Sequence, residues 1–164
     1  MKRFWTLAVM LTIYSVSCFA QNGGFRIVTG HPDFKIKIQR CEASGSTCVI
    51  DMLITNTGVN DVKADIIGGY GTDASKAYDD EGNVYMNNNV RVGYGANAPR
   101  TNGYIIDLPA GAPIKVRIQI DGVASYAKLF TRLDLDVDCP AWGLHTHQGK
   151  PVKMYNIPIS RDGD

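Results

Sequence analysis

Residues 34–56, FKIKIQRCEASGSTCVIDMLITN, alternate apolar and polar side chains with period two on both sides of a short polar loop. That is the pattern of two adjacent strands, each with one face on a core. Phe34, Ile36 and Ile38 point one way, and Lys35, Lys37 and Gln39 the other. Beyond the loop Cys48, Ile50, Met52 and Ile54 form the inward set, with Val49, Asp51, Leu53 and Thr55 outward. Cys41 and Cys48 bracket the loop. Were they directly opposite, paired positions would sum to 89 and Ile38 would face Asp51. Opposed residues share a face, so that register contradicts the hydrophobic pattern. A one-residue bulge near Gln39-Arg40 removes the conflict and is predicted.

The same alternation recurs along the chain. Strands are expected at 25–28, 62–67, 76–78, 84–86, 90–94, 104–108, 114–121, 132–138 and 152–159, with one helical turn within 124–130. In 114–121 the isoleucines and Val116 point inward, with Lys115, Arg117 and Gln119 outward; in 132–138 Leu133, Leu135 and Val137 point inward, with Asp134, Asp136 and Asp138 outward. If these two strands are neighbours, Lys115 and Arg117 face the aspartates. Pro158 argues for an edge position in the last strand. The fold class is therefore all-β, an antiparallel β-sandwich of roughly eight to ten short strands.

The N-terminus reads as a secretory signal. Lys2 and Arg3 precede an apolar run from Phe4 to Val16 that is too short to span a bilayer. Cys18-Phe19-Ala20 supplies small residues for cleavage after Ala20, leaving residues 21–164 as a single domain. Lipidation at Cys18 is the rival reading, disfavoured by Ser15 where a larger aliphatic residue is wanted. Removing residues 1–20 changes 17 basic and 16 acidic residues to 15 and 16, so the mature chain is near −1. Without a basic block in the sequence, a partner of nucleic acid or anionic membrane is not expected. The mature chain has no transmembrane segment, and its location is expected to be periplasmic or secreted. Cys41, Cys48 and Cys139 remain in it. In an oxidising compartment one bridge is expected, with Cys41–Cys48 favoured among three pairings because both flank one loop.

Several short motifs occur in a fixed order: Cys41…Gly45…Cys48, Thr55-Asn56, Asp79-Asp80-Glu81-Gly82-Asn83-Val84-Tyr85, Leu108-Pro109-Ala110-Gly111-Ala112-Pro113, and Asn156-Ile157-Pro158. On these the chain resembles secreted bacterial immunoglobulin-like domains of uncharacterised function, over about residues 34–159. The resemblance implies an immunoglobulin-like sandwich in the cell envelope and brings no catalytic residues. The stretch 138–150 is outside its pattern, and no tryptophan lies between Cys48 and Cys139 as in antibody domains.

Four constellations bear on chemistry. His145 and His147, on an extended segment near Cys139 and Asp138, project to one side as two metal ligands would. A solvated loop is the plainer reading of them. Asp79–Asn83 gathers oxygen ligands around a glycine but lacks the spacing and closing glutamate of an EF-hand; a tight turn needs the same residues. Gly69-Tyr70-Gly71-Thr72-Asp73-Ala74 mimics a dinucleotide fingerprint, but no helix follows it and no βαβ unit surrounds it. Tyr70, Tyr78, Tyr85, Tyr94 and Tyr104 lie in or beside a glycine- and asparagine-rich region, a composition found in adaptable binding surfaces and equally in the rim of a sandwich core.

No catalytic residue and no cofactor is expected. The reading is a non-enzymatic module that binds a cell-envelope protein or glycan through loops 68–103, with Tyr70 and Tyr94 as contact aromatics. A metal-handling protein or enzyme using His145, His147 and Cys139 is the alternative, and a structural envelope subunit the second alternative.

Overall fold

The computed structural model describes residues 24–67, 75–86, 89–92, 105–144 and 152–161. These residues are almost entirely strand: β1 (Arg26–Val28), β2 (Phe34–Ser44), β3 (Thr47–Asn56), β4 (Val62–Ile67), β5 (Lys76–Asp79), β6 (Val84–Tyr85), β7 (Asn89–Val92), β8 (Ile105–Leu108), β9 (Pro113–Ile120), β10 (Leu129–Asp138), β11 (Val152–Pro158) and β12 (Ser160–Arg161). One 3-10 turn, Pro140–Trp142, interrupts them. Among the described residues no helix is long and apolar enough to cross a membrane. The chain is all-β.

Two sheets form. One runs β1-β11-β10-β4-β8, with β5 placed end to end with β4 along the same edge of β10 and β6 paired to β5. The other runs β12-β2-β3-β9-β7. All strand pairs are antiparallel except β12 with β2, which is parallel. The inward sets predicted for β2, β3, β9 and β10 converge on one cluster. Phe34, Ile50, Met52, Ile54, Val116, Ile118 and Ile120 enter it from one sheet, and Ile66, Leu108, Phe130, Leu133, Leu135 and Met154 from the other. Period two places an apolar residue at every second position, and burying both apolar faces against each other satisfies both sheets at once.

The predicted bulge is present. Pairs sum to 90 from Phe34↔Asn56 to Ile38↔Met52 and to 91 from Arg40↔Asp51 to Ser44↔Thr47, so Gln39 is the inserted residue. The hairpin closes on Gly45-Ser46 alone, with Gly45 at φ +58. The register differs from direct cysteine opposition: Cys41 faces Ile50, and Cys48 faces Ala43. Both sulfurs still point into the core, as diagonal neighbours on one face.

Three expectations are corrected. Strands β9 and β10 lie in different sheets, so Lys115 and Arg117 do not meet the β10 aspartates; alternation reveals which way a side chain points but not which strand lies beside it. The segment from Val123 to Lys128 contains a turn closed by Ala127 N–H to Ala124 C=O, 3.1 Å, and no helix. β11 is interior to its sheet, but β1 covers only Lys153 to Tyr155, so Pro158 sits where that side of the strand is unpaired.

Two of the motif segments meet in space. Buried Asn56 donates its amide to the carbonyls of Asn60 (2.8 Å) and Leu108 (3.0 Å) and accepts from Gly58 N–H (2.9 Å). Its own carbonyl accepts from Gly111 N–H at 2.7 Å. One asparagine thereby welds the end of β3 to the β8–β9 turn. Asn156 is the one described non-glycine residue at positive φ (57°), a conformation asparagine tolerates better than β-branched residues do.

Candidate functional site

The outer face of β10 departs furthest from its sequence pattern. Asp134 and Asp136 alternate away from the core yet are only 7% and 4% exposed. Strand β10 is central, with partners along both edges. Asp134 lies across from Lys76 on β5 and Lys153 on β11, and Arg132 grips it with a two-pronged bond (Nε–Oδ1 2.6 Å, Nη2–Oδ2 2.5 Å). That bond holds the Arg132 guanidinium above its ordinary pKa. Arg132 also sits over the Tyr78 ring, 5.5 Å from its centroid. Asp136 donates its N–H to Ser75 Oγ at 3.1 Å, and Asp138 is in register with Asp65 of β4.

This stretch of β10 is also where three connecting segments start or end. Ile67, before residues 68–74, pairs with Asp136, and Ser75, after them, touches the same residue. Ile105, after residues 93–104, pairs with Asp65. Leu144, before residues 145–151, bridges to Cys139, and Val152, after them, pairs with Leu135. Tyr70, Tyr94, Tyr104, His145 and His147 belong to these segments and lie outside the described residues. Alternation along one strand could not have revealed this convergence, because it depends on strand partners far apart in sequence.

The other tyrosines have structural work. Tyr85 is buried, donates its hydroxyl to Asp79 Oδ2 at 2.7 Å and accepts from Ala124 N–H at 3.2 Å. Asp79 Oδ1 accepts from the N–H groups of Glu81 (3.0 Å) and Asn83 (2.8 Å), and Oδ2 also takes the Asn83 amide at 2.8 Å. Both oxygens are thus committed to the turn, which is the turn reading of Asp79–Asn83 made concrete. Burial pushes the Asp79 carboxyl up, but the bonds from Asn83, Tyr85 and the backbone together bring it below its ordinary value.

Cys41 and Cys48 are buried thiols with sulfurs 3.6 Å apart and no bond between them. The hydrogen bond between them and burial push the Cys41 thiol up. A disulfide needs about 2.05 Å, shorter than this contact. If oxidation joins them, reduction is expected to lower stability by about 2.5 kcal/mol for so short a loop, read as a shift in urea midpoint with dithiothreitol. An unchanged midpoint would mean the pair is never bridged. Cys139 is fully buried, and burial raises its thiol, which disfavours the thiolate a metal would require. Among the described residues, no group of three or more His, Cys, Asp or Glu side chains is arranged to hold a metal ion.

On the outer face of the other sheet, Asp51 is 2% exposed and enclosed by cations. Arg117 binds it through Nε (2.6 Å) and Nη2 (2.8 Å), Arg40 through Nε (2.6 Å), and Lys115 Nζ stands 3.9 Å away. Arg117 above all holds the Asp51 carboxyl at about 2, against burial and below the ordinary 3.8. A depressed native pKa stabilises above the unfolded value and is lost as pH falls through the native one. Stability is therefore expected to drop by about 1–2 kcal/mol between roughly pH 4 and pH 2, allowing for water around the guanidiniums. Urea titrations across that range should be flatter for Asp51→Asn.

No family model matches the chain, and no curated protein does. Among solved structures it is similar to a family 123 glycoside hydrolase from Clostridium perfringens, described for glycolipid glycan hydrolysis, at a TM-score of 0.38 and 12% identity. The match covers 84% of this chain and 27% of that one, so the chain spans about a quarter of the hydrolase. A likeness this slight bears on neither fold nor chemistry.

Proposed function

We propose that this protein is a non-enzymatic, immunoglobulin-like module of the periplasm or cell exterior that binds an envelope protein or glycan through the loops within residues 68–103. The observation that carries the reading is the seat from which those loops spring. Ile67 and Ser75 are fixed beside Asp136 on β10, a strand with partners along both edges, and Ile105 beside Asp65 on the adjoining β4. Loops presented by a rigid sheet are the usual site of recognition in all-β domains. Tyrosine among glycine and asparagine supplies flat contact area at low entropic cost.

The test is a Tyr70→Ala/Tyr94→Ala variant compared with the unaltered protein on a panel of envelope glycans and in chemical crosslinking on whole cells. Loss of a specific ligand with an unchanged melting temperature is the expected result. Identical ligand sets for both proteins would remove the loops from the binding surface.

A further inference from the structure

We propose that the outer face of the β2-β3-β9-β7 sheet is a second binding surface, one that takes an extended polyanionic glycan with regularly repeated carboxylates. Cations scattered through the sequence are assembled there by register. Lys35, Lys37 and Arg40 on β2 stand across β3 from Lys115 and Arg117 on β9. Against these five positions stand Asp51 at the centre, and Glu42 and Asp121 toward the hairpin end. Five cations less three carboxylates leaves +2 on one face, against −1 for residues 21–164 with their 15 basic and 16 acidic residues. The rest of the molecule is correspondingly acidic. The charge is segregated, so a long-range field exists that the near-neutral total conceals.

The shape of this face selects the class of partner. Between the two cation columns runs β3, with half-buried Val49, Leu53 and Thr55 around an Asp51 carboxylate already held by Arg40 and Arg117. With neighbouring strands about 4.8 Å apart, the columns lie about 10 Å apart, leaving a track along β3 for an extended chain. Asp51 draws Arg40 and Arg117 inward, while Lys35 and Lys37 are exposed at the opposite end from Glu42. Nucleic-acid single strands are held by stacking on aromatic rings, and none of the face positions named here is aromatic. Peptides add to sheet edges through main-chain hydrogen bonds or fill grooves, and the centre of a sheet face provides neither. A sugar polymer needs only the track between the columns and the flanking charges.

The measurement is binding of the full mature protein to immobilised polygalacturonate, with neutral dextran, a single-stranded oligonucleotide and polyglutamate alongside. Binding to polygalacturonate should weaken steeply as salt rises, and Lys35→Glu/Lys37→Glu should weaken it by about tenfold or more while lowering the salt slope by roughly one per lysine. The milder Lys35→Gln/Lys37→Gln pair, at exposed positions, guards against misfolding and should show a smaller loss in the same direction. Lys63→Glu, on the other sheet, should change little. Equal binding to dextran, or unaltered binding by both β2 variants, would overturn the proposal. Tighter binding to the oligonucleotide or to polyglutamate would overturn the assignment to a glycan. Because Lys35 and Lys37 lie on β2, outside residues 68–103, either outcome leaves the loop reading to be judged on its own.

Discussion

Phe130→Ala is expected to lower the unfolding free energy by about 4 kcal/mol. Phe130 is completely buried near the start of β10, in register with Asp79 on one side and Ile157 on the other. Its ring meets Tyr85 edge to face, with centroids 6.1 Å apart and planes at 82°. Truncation removes the apolar transfer gain, leaves a cavity between the sheets, and deprives Tyr85 of the contact that orients it. Urea unfolding at neutral pH measures the loss directly. A drop below about 2 kcal/mol would mean that the surrounding core collapses into the space, contrary to the close packing inferred here.

The second large effect is expected at Asp79. Asp79→Ala strips an acceptor from two backbone N–H groups, the Asn83 amide and the Tyr85 hydroxyl. The Glu81 and Asn83 groups can regain water, but Tyr85 is buried, so a cost of about 3 kcal/mol is expected. Melting with and without excess calcium separates turn from metal site: calcium should leave the unaltered protein's midpoint unchanged. A rise that vanishes in the variant would make Asp79–Asn83 an ion site. Phe130 and Asp79 act on the same tyrosine, so the double variant should lose less than the sum of the two.

Much of the architecture was legible because burying one face of a strand imposes period two. The bounds of β4 and the inward residues of β3, β9 and β10 follow from alternation, and the Gln39 bulge follows from a conflict between two alternating sets. What alternation cannot convey is adjacency. Arg117 reads as an outward cation in any case, yet its counterion is Asp51 on the neighbouring β3 and none of the β10 aspartates. Asp134 and Asp136 read as solvated because charge on an outward face normally is; their burial comes from strands contributed by distant parts of the chain. The basic face is hidden in the sequence for the same reason, since its cations come from β2 and β9, two strands far apart in the chain. The turn at Asp79 was recognisable from its residue types, but its coupling through Tyr85 to Ala124 was not. The candidate loops were visible only as composition, and the seat that anchors them appears once β10 is set between its partners.

The most direct test of a disulfide-stapled, exported binding module is the intact mass of protein recovered from the periplasm of a bacterial host, taken under native and then denaturing conditions. The expected species begins at Gln21, is lighter by the two hydrogens of one disulfide, and has the same mass in both conditions. Extra mass lost on denaturation, and absent when His145 and His147 are replaced, would contradict that and establish the metal-handling alternative. Extra mass that persists on Cys18 would contradict cleavage after Ala20 and make the protein a lipid-anchored one.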